Sequence, residues 1–214
     1  YFVSSSCGFY APNTLIAVNQ QGCGSVIERI AIRFEGFGLE NIPVETERGI
    51  KVDAQMQTSM PNVYAAGDVT GFSMLAHTAS REAEVAVNHM LGINDTMTYN
   101  AIPGVVYTNP EVSCIGLSEE QATKEGIEYR LCKLPMTYAG RFVAENEGQT
   151  GLCKILVDND NRILGVHMLG NPSSEFISTA CLAITNGITV EQLQRTIFPH
   201  PTVGEIIKEC LFDL

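Results

Sequence analysis

The stretch Gly151–Gly170, GLCKILVDNDNRILGVHMLG, decides the fold. Its apolar runs Leu152–Val157 and Ile163–Leu169 read as strands, and the polar Asp158–Asn161 between them reads as a hairpin turn. Upstream, Val105–Tyr107, Val112–Ile115 and Tyr129–Leu134 read as three more strands, and Ser118-x-x-Gln121 reads as a capping box that opens a short helix to about Glu125. Downstream the period changes. Ser173–Asn186 reads as a helix with Phe176, Ile177, Ala180, Cys181 and Ile184 inward, closed by Gly187, and Thr189-x-x-Gln192 caps another. Strands followed by helices, without strict alternation, specify an α+β layer: an antiparallel sheet with helices packed on one side.

A polar connection, Asn94–Pro103, separates this region from a different pattern, which sets the expected division at 1–34, 35–98 and 99–214. In the middle part, GFGLENI reads as a turn, Gly49–Val52 as a short strand, and Asn62–Ala66 as a strand running into Gly67-Asp68. Ala76–Leu91 reads as a helix with Ala76, Ala79, Ala83, Val87 and Met90 on its inner face, stopped by Gly92. Residues 1–34 carry small polar clusters, Ser4–Ser6 and Gly22–Ser25, around the apolar runs Thr14–Val18 and Val26–Phe34, and receive no assignment. Gly22-Cys23-Gly24 starts like a dinucleotide fingerprint, but Ile27 stands where the third glycine belongs, and it is read as a chance match.

The 214 residues are 45% hydrophobic and 17% charged, enough to bury a real core. A net charge of −11 argues against nucleic acid or an anionic membrane as partner. No apolar run approaches the roughly 20 residues of a membrane span. No signal-peptide pattern is visible, and a start at Tyr1 without Met reads as a fragment or a processed product. Seven cysteines, odd in number and without CxxC or CxxxxC spacing, fit a reducing compartment, where Cys serves as a small hydrophobe. No two Cys or His share a zinc-ligand spacing.

The chemistry concentrates in Pro199–Leu214, PHPTVGEIIKECLFDL. Prolines on both sides of His200 restrict the backbone and put the imidazole on a stiff arm. Val203, Ile206, Ile207, Cys210 and Leu211 form a helical core stripe. His200 with Glu205 five positions on is a candidate acid–base pair, Glu205 orienting the ring and raising its basicity. Thr202-x-x-Glu205 is equally a capping box, in which Glu205 only satisfies backbone donors. The local pattern leaves both readings open.

From about Gly36 to Leu214 the chain resembles the C-terminal part of the flavin-dependent pyridine nucleotide–disulfide oxidoreductases, and within them the dihydrolipoamide dehydrogenases. GFGLENIPVETERGIKVD, PNVYAAGDVTGFSMLAHTASREAE, YTNPEVSCIGLSEEQA, GLCKILVD with RILGVHMLG, and FPHPTVGEI carry the resemblance, in the family's order. It implies that 35–98 is the remnant of an α/β FAD-binding domain and 99–214 an interface domain. It implies that His200 and Glu205 form the catalytic pair. It maps Gly67, Asp68, Met74, Leu75, Ala76 and His77 onto the FAD site, with Asp68 accepting from the ribityl chain and the helix opening at Met74–His77 facing the flavin. A turn role for Asp68 and plain core packing for Leu75 and Ala76 are the alternatives. The redox CxxxxC and the flavin fingerprint of the family are missing from this stretch. The resemblance further implies NAD as electron acceptor, a homodimer whose His–Glu pair serves the other subunit's disulfide, and lipoyl-domain and acyltransferase partners in a 2-oxo acid dehydrogenase complex. The expected location is the cytoplasm or an organelle matrix. A glutathione- or mercury-type disulfide reductase and a non-catalytic dimerisation module are the rival readings.

Overall fold

Hairpin chemistry builds the centre of the sheet. Asp158 Oδ1 accepts from the backbone N–H groups of Asp160 at 2.9 Å and Arg162 at 2.7 Å, and Asn161 takes the left-handed conformation that closes the turn. The computed structural model describes residues 2–3, 15–19 and 41–214. It divides into two compact units, Tyr1–Thr98 and Tyr99–Leu214.

The second unit is a mixed α+β fold whose five-stranded sheet is antiparallel throughout. Its strands are β4 (Gly104–Val106), β5 (Val112–Gly116), β6 (Arg130–Pro135), β7 (Leu152–Val157) and β8 (Ile163–Leu169), in the order β4-β5-β8-β7-β6. Leu152 pairs with Leu169 and Lys154 with His167 across the central hairpin, with a register shift at Leu156/Val157. Helix α2 (Glu119–Glu125) has the capping box expected of Ser118 and Gln121, and α5 (Val190–Arg195) has that of Thr189 and Gln192. The longer α4 (Ser173–Thr185) packs on β5 and β8, and α6 (Glu205–Phe212) on β6 and β7. Between the sheet and these helices lies one core that includes Ile155, Val166, Met168, Ile177, Ile206, Ile207 and Leu211.

Two features of this unit escaped the sequence pattern. A 3-10 turn at Met136–Tyr138 and helix α3 (Gly140–Glu145) lie between β6 and β7, where the sequence pattern assigned no element. No side chain caps the start of α3; it is held by Phe142, fully buried in the core, and its end is closed by Asn146 Nδ2, which donates to Phe142 O at 3.1 Å. In α4 the inward stripe is Ser173, Ile177, Ala180 and Ala183, with Phe176, Cys181 and Ile184 at its half-buried margins.

The first unit carries a parallel sheet in the order β1-β2-β3, formed by Phe2–Val3, Leu15–Asn19 and Val63–Gly67. Leu15 to Asn19 pair in register with Val63 to Gly67. The Gly22-Cys23-Gly24 reading, the GFGLENI turn up to residue 40, the Ser4–Ser6 cluster and the Val26–Phe34 run lie outside the described residues. β3 is buried over Tyr64–Gly67, as a strand covered on both faces requires.

The expected strand at Gly49–Val52 is not one; Ile50 and Val52 make isolated bridges. Their neighbourhood draws on three segments: Ile50 N donates to Val69 O at 2.8 Å, Lys51 N to Glu45 O at 2.9 Å, and Asp53 N to Gln57 O at 2.9 Å. No single partner strand runs alongside, so no ladder forms. Gly49 is where the chain crosses the Val69–Thr70 backbone so closely that a Cβ would sit 2.3 Å from the Thr70 carbonyl carbon.

Helix α1 (Ala76–Met90) matches its expected span, but not its expected face. It buries Thr78, Ala79, Glu82, Val85 and Ala86; of the predicted stripe only Ala79 is buried. The cause is Glu82, a fully buried carboxylate whose Oε2 accepts from Gly67 N at 2.5 Å. Counting apolar residues rotates the face away from it. Beyond Gly92 the chain is tied back by Arg81, whose guanidinium meets Asp95 at 2.6 and 2.9 Å, while Asn88 donates to the same carboxylate at 2.8 Å. These donors, the guanidinium first, hold Asp95 down at a pKa of about 2.

Phe142→Ala should destabilise the second unit by about 3–5 kcal/mol, the cost of emptying a fully buried aromatic site. Urea unfolding followed by far-UV circular dichroism reads this directly, as a lower midpoint at unchanged slope.

Candidate functional site

Helix α6 is anchored by the stripe the sequence promised: Val203, Ile206, Ile207, Cys210 and Leu211 are all buried. Its first residue is Glu205 and its N-cap is Gly204. The expected cap, Thr202, sits two residues earlier and uses its hydroxyl otherwise, donating to Pro199 O at 2.9 Å. Half of the capping box survives: Thr202 N donates to Glu205 Oε2 at 2.7 Å.

The other oxygen of that carboxylate, Oε1, lies 2.9 Å from His200 Nδ1. Glu205 therefore serves the backbone and the imidazole at once, and the two readings of the motif coexist. The Thr202 N–H, and after it His200, hold the Glu205 carboxyl below its usual range despite burial. An ionised carboxylate only accepts. Nδ1 of the facing ring must then carry the proton, which leaves the Nε2 lone pair open to an incoming acid. The ring is 81% exposed and the carboxylate side chain only 20%. The arrangement is an immobile anion behind a solvent-facing base, with a cis peptide joining His200 to Pro201. It can take up a proton at Nε2 and stabilise the resulting imidazolium through Glu205.

The six residues mapped to a cofactor lie in the first unit, on the connection from β3 to α1. Gly67 ends β3 with positive φ, and Asp68 is buried in the 3-10 turn that follows. Thr70 Oγ1 donates to Gly67 O at 2.9 Å, and Glu82 holds Gly67 N from the other side. Leu75 is the extended N-cap of α1 and makes no side-chain cap; Met74, Ala76 and His77 are exposed around it. A carboxylate at the end of a strand and an uncapped helix start offer an acceptor for hydroxyls and donors for an anionic edge, a set that fits a flavin. The residue that sequence reasoning missed is Glu82. Its signal was its place three residues from both Ala79 and Val85, within the buried stripe.

Comparison with known proteins bears on both regions. The family model described as pyridine nucleotide-disulphide oxidoreductase, dimerisation domain, matches residues 102–211, and that of pyridine nucleotide-disulphide oxidoreductase matches residues 29–83, starting ahead of Gly36. The mitochondrial dihydrolipoyl dehydrogenase of Caenorhabditis elegans is 39% identical over 179 residues, covering 82% of this chain and 36% of the relative. The human mitochondrial dihydrolipoyl dehydrogenase is 40% identical over 179 residues, covering 82% and 35%. Among solved structures, LpdA of Mycobacterium tuberculosis aligns with a TM-score of 0.78 at 26% identity, over 84% of this chain and 40% of that one. The flavoprotein disulfide reductase RclA of Escherichia coli aligns with a TM-score of 0.72 at 27% identity, over 81% and 41%. The chain thus spans little more than a third of the length of the curated relatives it matches.

Because the folded Glu205 carboxyl lies below its unfolded value, its contacts stabilise fully above the ordinary carboxylate range, and that contribution is lost as pH falls through the lower folded value. The difference in thermal midpoint between the native chain and Glu205→Gln should accordingly be greatest near neutrality and vanish on strong acidification. Melts recorded across that range check it.

Proposed function

The chain belongs to the pyridine nucleotide-disulphide oxidoreductase family, and from that premise we propose that it is the C-terminal part of a dihydrolipoamide dehydrogenase. It would supply the acid–base pair and the dimer interface for oxidation of a protein-bound dithiol. The single observation that carries this reading is the 2.9 Å contact between His200 Nδ1 and Glu205, with the ring's other nitrogen turned to solvent.

A dithiol of ordinary pKa, about 8.5, is mostly protonated at neutral pH and attacks a disulfide only as thiolate. His200 Nε2 takes that proton, and Glu205 balances the imidazolium. That thiolate would attack the enzyme's disulfide, forming a mixed disulfide and expelling one enzyme sulfur, which takes the proton back from His200. The second substrate thiol, deprotonated in turn by His200, would attack the substrate sulfur of the mixed disulfide, closing the substrate disulfide and releasing the second enzyme sulfur. Gly67, Asp68 and the Met74–His77 helix start would hold FAD, Asp68 by its carboxylate and the rest by backbone. Bound there, FAD supplies the two-electron acceptor that passes reducing equivalents to NAD.

An exposed ring supports a homodimer in which the base meets the sulfur of the other subunit. The lipoyl domain and the acyltransferase subunit of a 2-oxo acid dehydrogenase complex are the corresponding partners. Among the described residues no helix is long and apolar enough to cross a membrane. Cysteine usage supports a reducing compartment, cytoplasm or organelle matrix.

A chimera tests the proposal: residues 99–214 are grafted onto the flavin and nucleotide domains of a characterised family enzyme. The chimera should oxidise dihydrolipoamide with NAD and show no reduction of glutathione disulfide with NADPH. His200→Gln in the chimera should lower dithiol turnover by about 10²–10⁴-fold, the worth of a positioned general base, while retaining flavin absorbance. Unchanged turnover in that variant would overturn the assignment.

A further inference from the structure

The imidazole is held by little of its own. It is mostly exposed, and Ile197 in the strap leading to it is 92% exposed and adds no packing to this approach. The strap is nevertheless tethered at several points, and one side chain accounts for two of them. Lys208 Nζ donates to Thr196 O, the C-cap of α5, at 2.7 Å. The same ammonium stands 5.7 Å from the centre of the Phe198 ring, within cation–π range. Phe198 in turn packs against the core of the unit. Lys208 lies three residues after Glu205 on α6, on the same side of the helix. Its charge also favours the ionised form of that carboxylate. The next tether along the strap is Thr202 Oγ1 on Pro199 O.

We propose that Lys208 is a positioning residue for the His200–Glu205 pair: it binds the Thr196–Phe198 strap to the helix that carries Glu205, so that Nδ1 of His200 meets the carboxylate. The role rests on the acid–base reading of that pair and adds to it a residue that never touches the substrate. Without Lys208 the strap keeps Thr202, the bonds from Thr196 to Gln192 O and Leu193 O and the packing of Phe198, but loses the link from Thr196 O to α6 and the cation over the Phe198 ring, and the ring leaves the carboxylate for solvent more often. An imidazole away from Glu205 has no reason to keep its proton on Nδ1.

Ring-nitrogen NMR of the ¹⁵N-histidine chain reads this without requiring turnover, with the His200 signals assigned by their loss in His200→Gln. In the native chain Nδ1 should be the protonated nitrogen. Lys208→Met should lower the ratio of that tautomer to the other by about three- to tenfold, the worth of one hydrogen bond, in the direction taken by Glu205→Gln. Lys208→Arg, which keeps the donor and the cation, should restore the native spectrum. If Lys208→Met leaves the His200 tautomer native while Glu205→Gln changes it, the positioning role is wrong and the pair stands. If Glu205→Gln changes nothing, the pair itself is wrong and Lys208 has nothing to position. Should Met at 208 unfold the unit, Phe198→Leu, which leaves α6 untouched, replaces it with the same readings.

Discussion

One carboxylate with both oxygens committed organises this end of the molecule. Glu205 accepts from Thr202 N with one oxygen and faces His200 Nδ1 with the other. The first bond fixes the carboxylate relative to the start of α6, so the second oxygen is already aimed when the ring arrives. The backbone N–H also favours the ionised group, which sets the tautomer of the ring and leaves Nε2 as the nitrogen without the proton. In the proposed reaction a structural hydrogen bond would thus supply the electrostatic part of the chemistry. This is why capping and catalysis could not be separated by spacing alone: they use different oxygens of the same side chain.

The antiparallel sheet was legible because its signals are local. The β7–β8 hairpin has apolar runs bounded by a polar four-residue turn, and Ser118 and Thr189 each begin a capping box that the backbone completes. What failed did so for identifiable reasons. α3 has no side-chain N-cap and no periodic stripe, only Phe142 reaching into the core and Asn146 closing its end. Residues 49–52 look like a strand, but their neighbours come from three directions. The α1 face was misjudged because its centre is a carboxylate, and an apolar count treats every Glu as solvent-facing.

Glu82 and Glu205 show the same device in the two units. Each is a carboxylate on a helix that secures a backbone N–H beside residues of the mapped site: Gly67 N next to Asp68 in one, Thr202 N next to His200 in the other. In both cases the residues named by motif were readable from the chain, while the group that holds them in place was hidden or ambiguous. Motif residues carry composition that a reader can see; supporting carboxylates sit in helices, where Glu is an ordinary surface residue. Only the fold reveals which Glu is buried.

The sulfur chemistry of the second unit points the same way. Cys132, Cys153 and Cys210 lie in the core beneath α6. Burial, with Cys210 beside it, drives the Cys132 thiol upward; contact with Cys153, then burial, does the same to Cys210. Exchange requires a thiolate, and a thiol so raised gives none at neutral pH. These cysteines pack, in the way Ile206 and Ile207 pack, and neither Cys132 nor Cys210 offers a thiolate. His200 faces solvent from the strap that leads into α6, a helix whose inward side is filled with sulfur and hydrocarbon. Under the proposed function, a sulfur reaching that ring would come from its solvent-exposed side, the direction open to a substrate dithiol or a second subunit.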